Sequence, residues 1–217
     1  MRDRGMIRAG DWARAVRIAL TAALLCGYAG SALGASKKDE SKKDERHFTL
    51  TEATAPKVNR AWKLAEAEDY KGALAVLKDV GDRRSLKGHD KATVFNMMGM
   101  MEGQLGNFPA AITAFETALA EDALPEAGTL QIQYNLAQLY IAEEKFSKAT
   151  LLLEEWFKNT AEPSTYGNYL MAVSLAMQER YKEALPFIRK TTEQSEPREN
   201  FLTLQLAVEY QNGNVPE

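Results

Sequence analysis

The chain has 217 residues, 45% of them apolar and 26% charged, with a formal charge of −3 from 27 basic and 30 acidic side chains. That balance describes a globular chain, excludes a disordered or collagenous one, and argues against nucleic acid, whose binders carry a basic excess. One cysteine and two histidines exclude an internal disulfide framework, leave too little for a Cys- or His-based metal centre, and suggest no cofactor.

The first segment reads as an address. Residues 1–17 hold Arg2, Arg4, Arg8, Arg14 and Arg17, and residues 18–29 form an uncharged apolar run. A helix of that length spans about 18 Å, short of a ~30 Å hydrocarbon core. A basic stretch, a short apolar run and small residues at Ala32-Leu33-Gly34 make a secretory signal peptide over 1–34, cleaved after Gly34 or Ala35. The alternative is an uncleaved N-terminal anchor on the periplasmic face of a membrane. Cys26 follows Leu25, where a lipoprotein site wants a small residue, so it reads as an ordinary thiol. Cleavage leaves 22 basic and 28 acidic residues, no cysteine and no stable transmembrane helix. Residues 35–50 contain Ser-Lys-Lys-Asp-Glu twice and read as a charged, disordered linker.

From 51 to 217 the chain repeats. The stretches 68–77, 106–115, 144–153 and 179–188 align on Tyr70, Phe108, Phe146 and Tyr181, on Ala73, Ala111, Ala149 and Ala184, and on Leu77, Phe115, Leu153 and Ile188. Upstream halves place Ala61, Gly99, Ala137 and Ala172 at one further small position. Pro125, Pro163 and Pro197 follow three units. Small residues recurring this way let two antiparallel helices approach closely, while larger neighbours fill the space between. The expected helices are 52–67, 70–79, 91–105, 108–121, 127–143, 146–158, 164–178, 181–194 and 199–212. Residues 80–90 are expected as a loop with Asp90 as N-cap. Pro109 falls in a first turn, and Pro186 sits deeper, where it could bend its helix. Ala207, Tyr210 and Gly213 fit the first helix of a fifth unit. Its Phe201, Leu204 and Val208 are expected to stay partly open, for self-association or a partner.

This is the tetratricopeptide (TPR) pattern, W-x2-L-G-x2-Y, then A-x3-F, then P, and the chain resembles that family. The expected fold is all-α: a right-handed superhelical α-solenoid of about four TPR helix pairs plus a C-terminal capping helix. The units are about 54–88, 92–126, 130–163 and 165–198, with the final helix at 199–212.

No H-E-x-x-H, P-loop or G-x-S-x-G motif is present. Glu143-Glu144 and Glu154-Glu155 read as solvated helix faces and His89 as a loop residue, so no enzyme is expected. In the stacked architecture the first helix of each unit lines a concave wall. Turn periodicity places Trp62, Asn96, Met100, Gln104, Tyr134, Gln138, Ile141, Tyr166, Tyr169, Val173 and Met177 there. That lining of aromatics, amides and thioethers suits a peptide segment held by apolar anchors; alternatively Tyr134, Tyr169 and Trp62 pack between units. Met97, Met98, Met100 and Met101 read either as core, with Met100 alone outward, or as an adaptable groove. A carboxylate clamp would need Lys and Asn where Val58 and Trp62 stand.

Residues 123–157, RYKEALPFI at 180–188 and PRENFLTLQLAVEY at 197–210, with AEDYKGALAVLKDV, resemble a bacterial envelope group of TPR proteins that accompany TonB-type energy-transduction systems. The resemblance runs from about 56 to 212. It implies a periplasmic accessory or adaptor of an outer-membrane transport machine, binding protein segments, with no catalytic residues to carry over. The competing reading is an assembly factor or chaperone in envelope biogenesis or secretion.

Overall fold

The structure is a computed structural model that describes residues 48–213. The expected signal peptide at 1–34, residues 35–47 of the expected linker, and residues 214–217 lie outside the described residues. Among the described residues there are nine helices and no strand. They are α1 (Ala55–Glu66), α2 (Tyr70–Gly81), α3 (Gly88–Gln104), α4 (Phe108–Ala120), α5 (Glu126–Ala142), α6 (Phe146–Asn159), α7 (Thr165–Ala176), α8 (Tyr181–Glu193) and α9 (Glu199–Gln211). The described residues form two compact units, 48–139 and 140–213, divided near the end of α5. In the first, α1 packs on α2, α2 on α3 and α3 on α4. In the second, α6 packs on α7, α7 on α8 and α8 on α9. Sequence neighbours are thus spatial neighbours, as a repeat requires.

The period is written in the backbone of the turns. Glu68, Gly106, Glu144 and Glu179 have positive φ, at 61°, 76°, 58° and 60°. At each turn the next N–H returns to a carbonyl five residues back: Asp69 to Leu64 (2.9 Å), Asn107 to Glu102 (2.8 Å), Lys145 to Tyr140 (2.7 Å) and Arg180 to Leu175 (3.0 Å). This six-to-one closure ends one helix and aims the chain into the next. Only Gly106 suits the left-handed conformation; an L side chain there costs about 1–2 kcal/mol. At the first turn Asp69 also caps α2, accepting from the Gly72 N–H at 2.8 Å.

Close approach explains the small residues. Ala61, Ala73, Ala111, Ala137, Ala149, Ala172 and Ala184 are all completely buried. A Cβ on Gly99 of α3 would lie 2.7–2.9 Å from three atoms of the Phe115 ring on α4. A Cβ on Gly167 of α7 would lie 2.8 Å from Cζ3 of Trp156 on α6. The large partners Leu77, Leu153, Ile188 and Trp156 are fully buried and Phe115 nearly so.

Three expectations are corrected. Asp90 does not cap a helix: α3 begins at Gly88, so Asp90 lies within its first turn. Its carboxylate instead accepts from the Thr51 backbone N–H at 3.0 Å and from the Thr51 hydroxyl, fastening the segment before α1 onto α3. The expected loop at 80–90 shrinks at both ends, since α2 runs to Gly81 and α3 begins at Gly88; Pro186 lies within α8, which continues to Glu193. Finally, Phe201, Leu204 and Val208 are buried; the open apolar face of α9 is Leu202, Leu206 and Tyr210.

Burial would raise the pKa of Asp90, but hydrogen bonds from Thr51 and Thr54 outweigh it and hold the carboxyl below its usual value. A depressed folded pKa contributes stability above the unfolded value, near 3.9, and loses it as pH falls through the folded one. Asp90→Asn should therefore lower stability by about 1–3 kcal/mol at pH 7. In thermal melts its gap from wild type should close below about pH 4; a gap independent of pH would remove the charged latch.

Ala111→Leu and Ala149→Leu should each cost about 1–3 kcal/mol in denaturant titrations, since neither site has room. Glu68→Gly should instead raise the melting temperature, by relieving the left-handed cost at an exposed position, and Gly106→Glu should lower it.

Candidate functional site

The expected lining separates by accessibility. In the unit 48–139, Trp62 on α1 is 42% exposed. Asn96, Met100 and Gln104 on α3 are half-buried and share one helix face at four-residue spacing. Tyr134 and Gln138 on α5 are buried. In the unit 140–213, Ile141, Tyr169 and Val173 are buried, whereas Tyr166 and Met177 are half-buried. The accessible members are thus Trp62, Asn96, Met100, Gln104, Tyr166 and Met177.

Tyr169 packs its ring 4.7 Å from that of Phe201 on α9 and 5.5 Å from that of Tyr166. Burial, reinforced by neighbouring Tyr169 and opposed by Arg198, pushes the Tyr166 phenol up to about 12. Arg198 lies 5.5 Å from the centroid of the Phe201 ring. For Tyr169, packing between helices is the geometry found. Met97 and Met101 are core, and Met98 and Met100 pack at its edge.

The α3 face carries one unusual polar atom. Asn96 Oδ1 is buried and has no hydrogen-bond partner, as is Gln133 Oε1 on α5. A buried acceptor left unsatisfied costs about 1–3 kcal/mol.

His89 and Glu121 make structural contacts. His89 Nδ1 lies 2.9 Å from the Ala123 carbonyl, and its ring meets Phe48 edge-on at 5.6 Å. Glu121 bonds the Gly88 N–H at 2.8 Å and Lys91 Nζ at 2.7 Å. Glu144, Glu154 and Glu155 are exposed. Among the described residues, no three His, Cys, Asp or Glu side chains are placed to hold a metal, and no helix is long and apolar enough to cross a membrane.

Sequence reasoning missed two interior features. Trp156 is the largest fully buried side chain. The signal for it was Gly167, which clears the space. Thr150, Ser174 and Gln178 form a hydrogen-bonded cluster joining α6 to α7: the Thr150 and Ser174 hydroxyls bond each other, and Gln178 Nε2 donates to Thr150 Oγ1 at 2.7 Å.

No protein-family model and no curated protein matches the sequence. Solved structures do. YrrB, a TPR protein with an unusual peptide-binding site, superposes with a TM-score of 0.64 at 20% identity, covering 74% of this chain and 78% of that one. MamA from AMB-1 gives 0.62 at 17% identity, covering 75% and 84%. A MamA RS-1 double mutant gives 0.63 at 14% identity, covering 76% and 87%. At these identities the likeness establishes the fold. The chain has the all-α helical-repeat fold of TPR proteins.

Burial decides how the aromatics respond to truncation. Tyr169→Ala should cost about 3–5 kcal/mol in a denaturant titration, as for other buried aromatics, and Trp62→Ala less than about 1 kcal/mol. Equal effects would contradict the division into core and surface.

Proposed function

We propose that the protein is a non-catalytic scaffold that binds protein or peptide segments through the first helices of its repeats. The carrying observation is the α3 face, where the half-buried Asn96, Met100 and Gln104 offer two amides and a thioether without charge. Such a face suits an extended or helical segment with apolar anchors and free backbone N–H groups. The peptide-binding site of YrrB, on the same fold, supports this reading by analogy.

The finer reading is a periplasmic accessory of a TonB-type outer-membrane transport system. It rests on the signal-like segment 1–34 and on the resemblance of residues 56–212 to envelope TPR proteins. The alternative is an assembly factor or chaperone in envelope biogenesis or secretion, using the same face.

Cell fractionation should place the protein in the periplasm, with the N-terminal segment removed. Affinity capture after in-cell cross-linking should recover inner-membrane energising proteins. Asn96→Ala with Gln104→Ala should reduce that recovery at least about fivefold, a binding difference of about 1 kcal/mol, while the variant still unfolds cooperatively at or above the wild-type temperature because the unsatisfied acceptor is gone. Recovery of assembly or pilus proteins instead would favour the alternative, and undiminished capture by the folded double variant would exclude the α3 face.

A further inference from the structure

The turns that follow α1, α3, α5 and α7 hold Glu68, Gly106, Glu144 and Glu179 in the left-handed conformation, and Gly213 takes the same place after α9, at φ 77°. The residue just before that place changes from turn to turn. It is Ala67, Leu105, Glu143, Gln178 and, after α9, Asn212. Of these, only Asn212 has a side-chain amide whose carbon can close a five-membered ring with the next backbone nitrogen. Ala67 and Leu105 carry no carbonyl, the Glu143 carboxylate has no amine to expel, and Gln178 is one methylene longer. Every other asparagine in the sequence precedes a residue with a side chain, whereas Asn212 precedes glycine, whose nitrogen no Cβ crowds.

We propose that Asn212 is a site of spontaneous covalent modification, with water as the co-reactant. The Gly213 nitrogen gives up its proton to solvent and attacks Cγ of Asn212. An N–Cγ bond forms, the Cγ–Nδ2 bond breaks, and Nδ2 takes up a proton and leaves as ammonia. Water then opens the succinimide at either of its two carbonyls. One opening gives aspartate, and the other gives isoaspartate, in which the main chain runs through the former side chain.

The fold restrains both reacting groups. Asn212 Nδ2 donates to the Val208 carbonyl at 2.9 Å, and the Gly213 N–H donates to the Tyr210 carbonyl at 3.0 Å. Both bonds belong to the end of α9, and helix ends fray first. The reaction therefore proceeds from the opened end, and its product keeps that end open. The new carboxylate cannot donate to Val208. It stands at the negative end of the helix and follows Glu209 by three residues. No basic residue in the last turn of α9 offsets that charge. The same turn anchors Val208, which is completely buried.

The test is to age the full chain in mildly alkaline buffer and follow each asparagine by peptide mass spectrometry, with isoaspartate detected by enzymatic methylation. Asn212 should convert at least about tenfold faster than any other asparagine, with isoaspartate among the products, and Gly213→Ala should slow it at least about tenfold. Conversion in urea should be faster than in the folded chain, because the bonds to Val208 and Tyr210 are then gone. Asn212→Asp, which installs one product directly, should speed amide hydrogen exchange in the last turn of α9 at least about fivefold and leave exchange in α7 unchanged. The proposal is overturned if another asparagine converts first, or if Gly213→Ala converts as fast as wild type. Equal rates in the folded and unfolded chains, or unchanged exchange in Asn212→Asp, would overturn the part assigned to the helix end.

Discussion

Two helices can nest closely only where one of them carries almost no side chain. Gly99 meets the face of Phe115 at a distance that leaves no room for a single added carbon, and Gly167 meets Trp156 in the same way. Around these contacts, a completely buried alanine recurs in both helices of the hairpins. The large side chains then fill the interior, which is where most of the packing energy of such a fold resides. Stability without disulfides follows from that arrangement, since the sequence holds one cysteine.

The small residues were readable because they recur at a fixed period, and a period survives when individual motif positions do not. The helices followed from it, with the largest shifts at the starts of α1 and α3. The turns were less legible. Gly106 announces a left-handed residue, but Glu68, Glu144 and Glu179 adopt the same conformation with no composition signal. There the returning hydrogen bond that closes the helix end holds the turn against local preference. Asp90 was misread for a related reason. Its type and place before a helical run suggest a cap, whereas its role comes from Thr51, thirty-nine residues away, which no local pattern contains.

The candidate site was legible as a set of helix faces and not as a surface. Helical periodicity places Tyr169 and Met177 on the same side at α7. Only packing against Phe201 of α9 makes the first an interior residue, while the second stays half-exposed. The same competition explains α9 itself: Phe201, Leu204 and Val208 turn inward, and the neighbouring stripe of Leu202, Leu206 and Tyr210 is left outside. The accessible residues Asn96, Met100 and Gln104 of α3 and the open stripe of α9 therefore form uncharged surface. The ion pair Arg180–Glu183, at 2.7 Å, lies on an exposed helix flank, where it contributes little.

The contact on which this packing depends can be measured by itself. In a double-mutant cycle, Gly99→Ala and Phe115→Leu are made singly and together, and unfolding free energies are taken from denaturant titrations. If the helices nest through this pair, Gly99→Ala is costly beside the Phe115 ring and much less so in the Phe115→Leu background, where the ring is gone. The coupling should then be about 1 kcal/mol or more in the compensating direction. Strictly additive effects would mean that the ring does not close over the glycine, and the nesting described for this hairpin would be wrong.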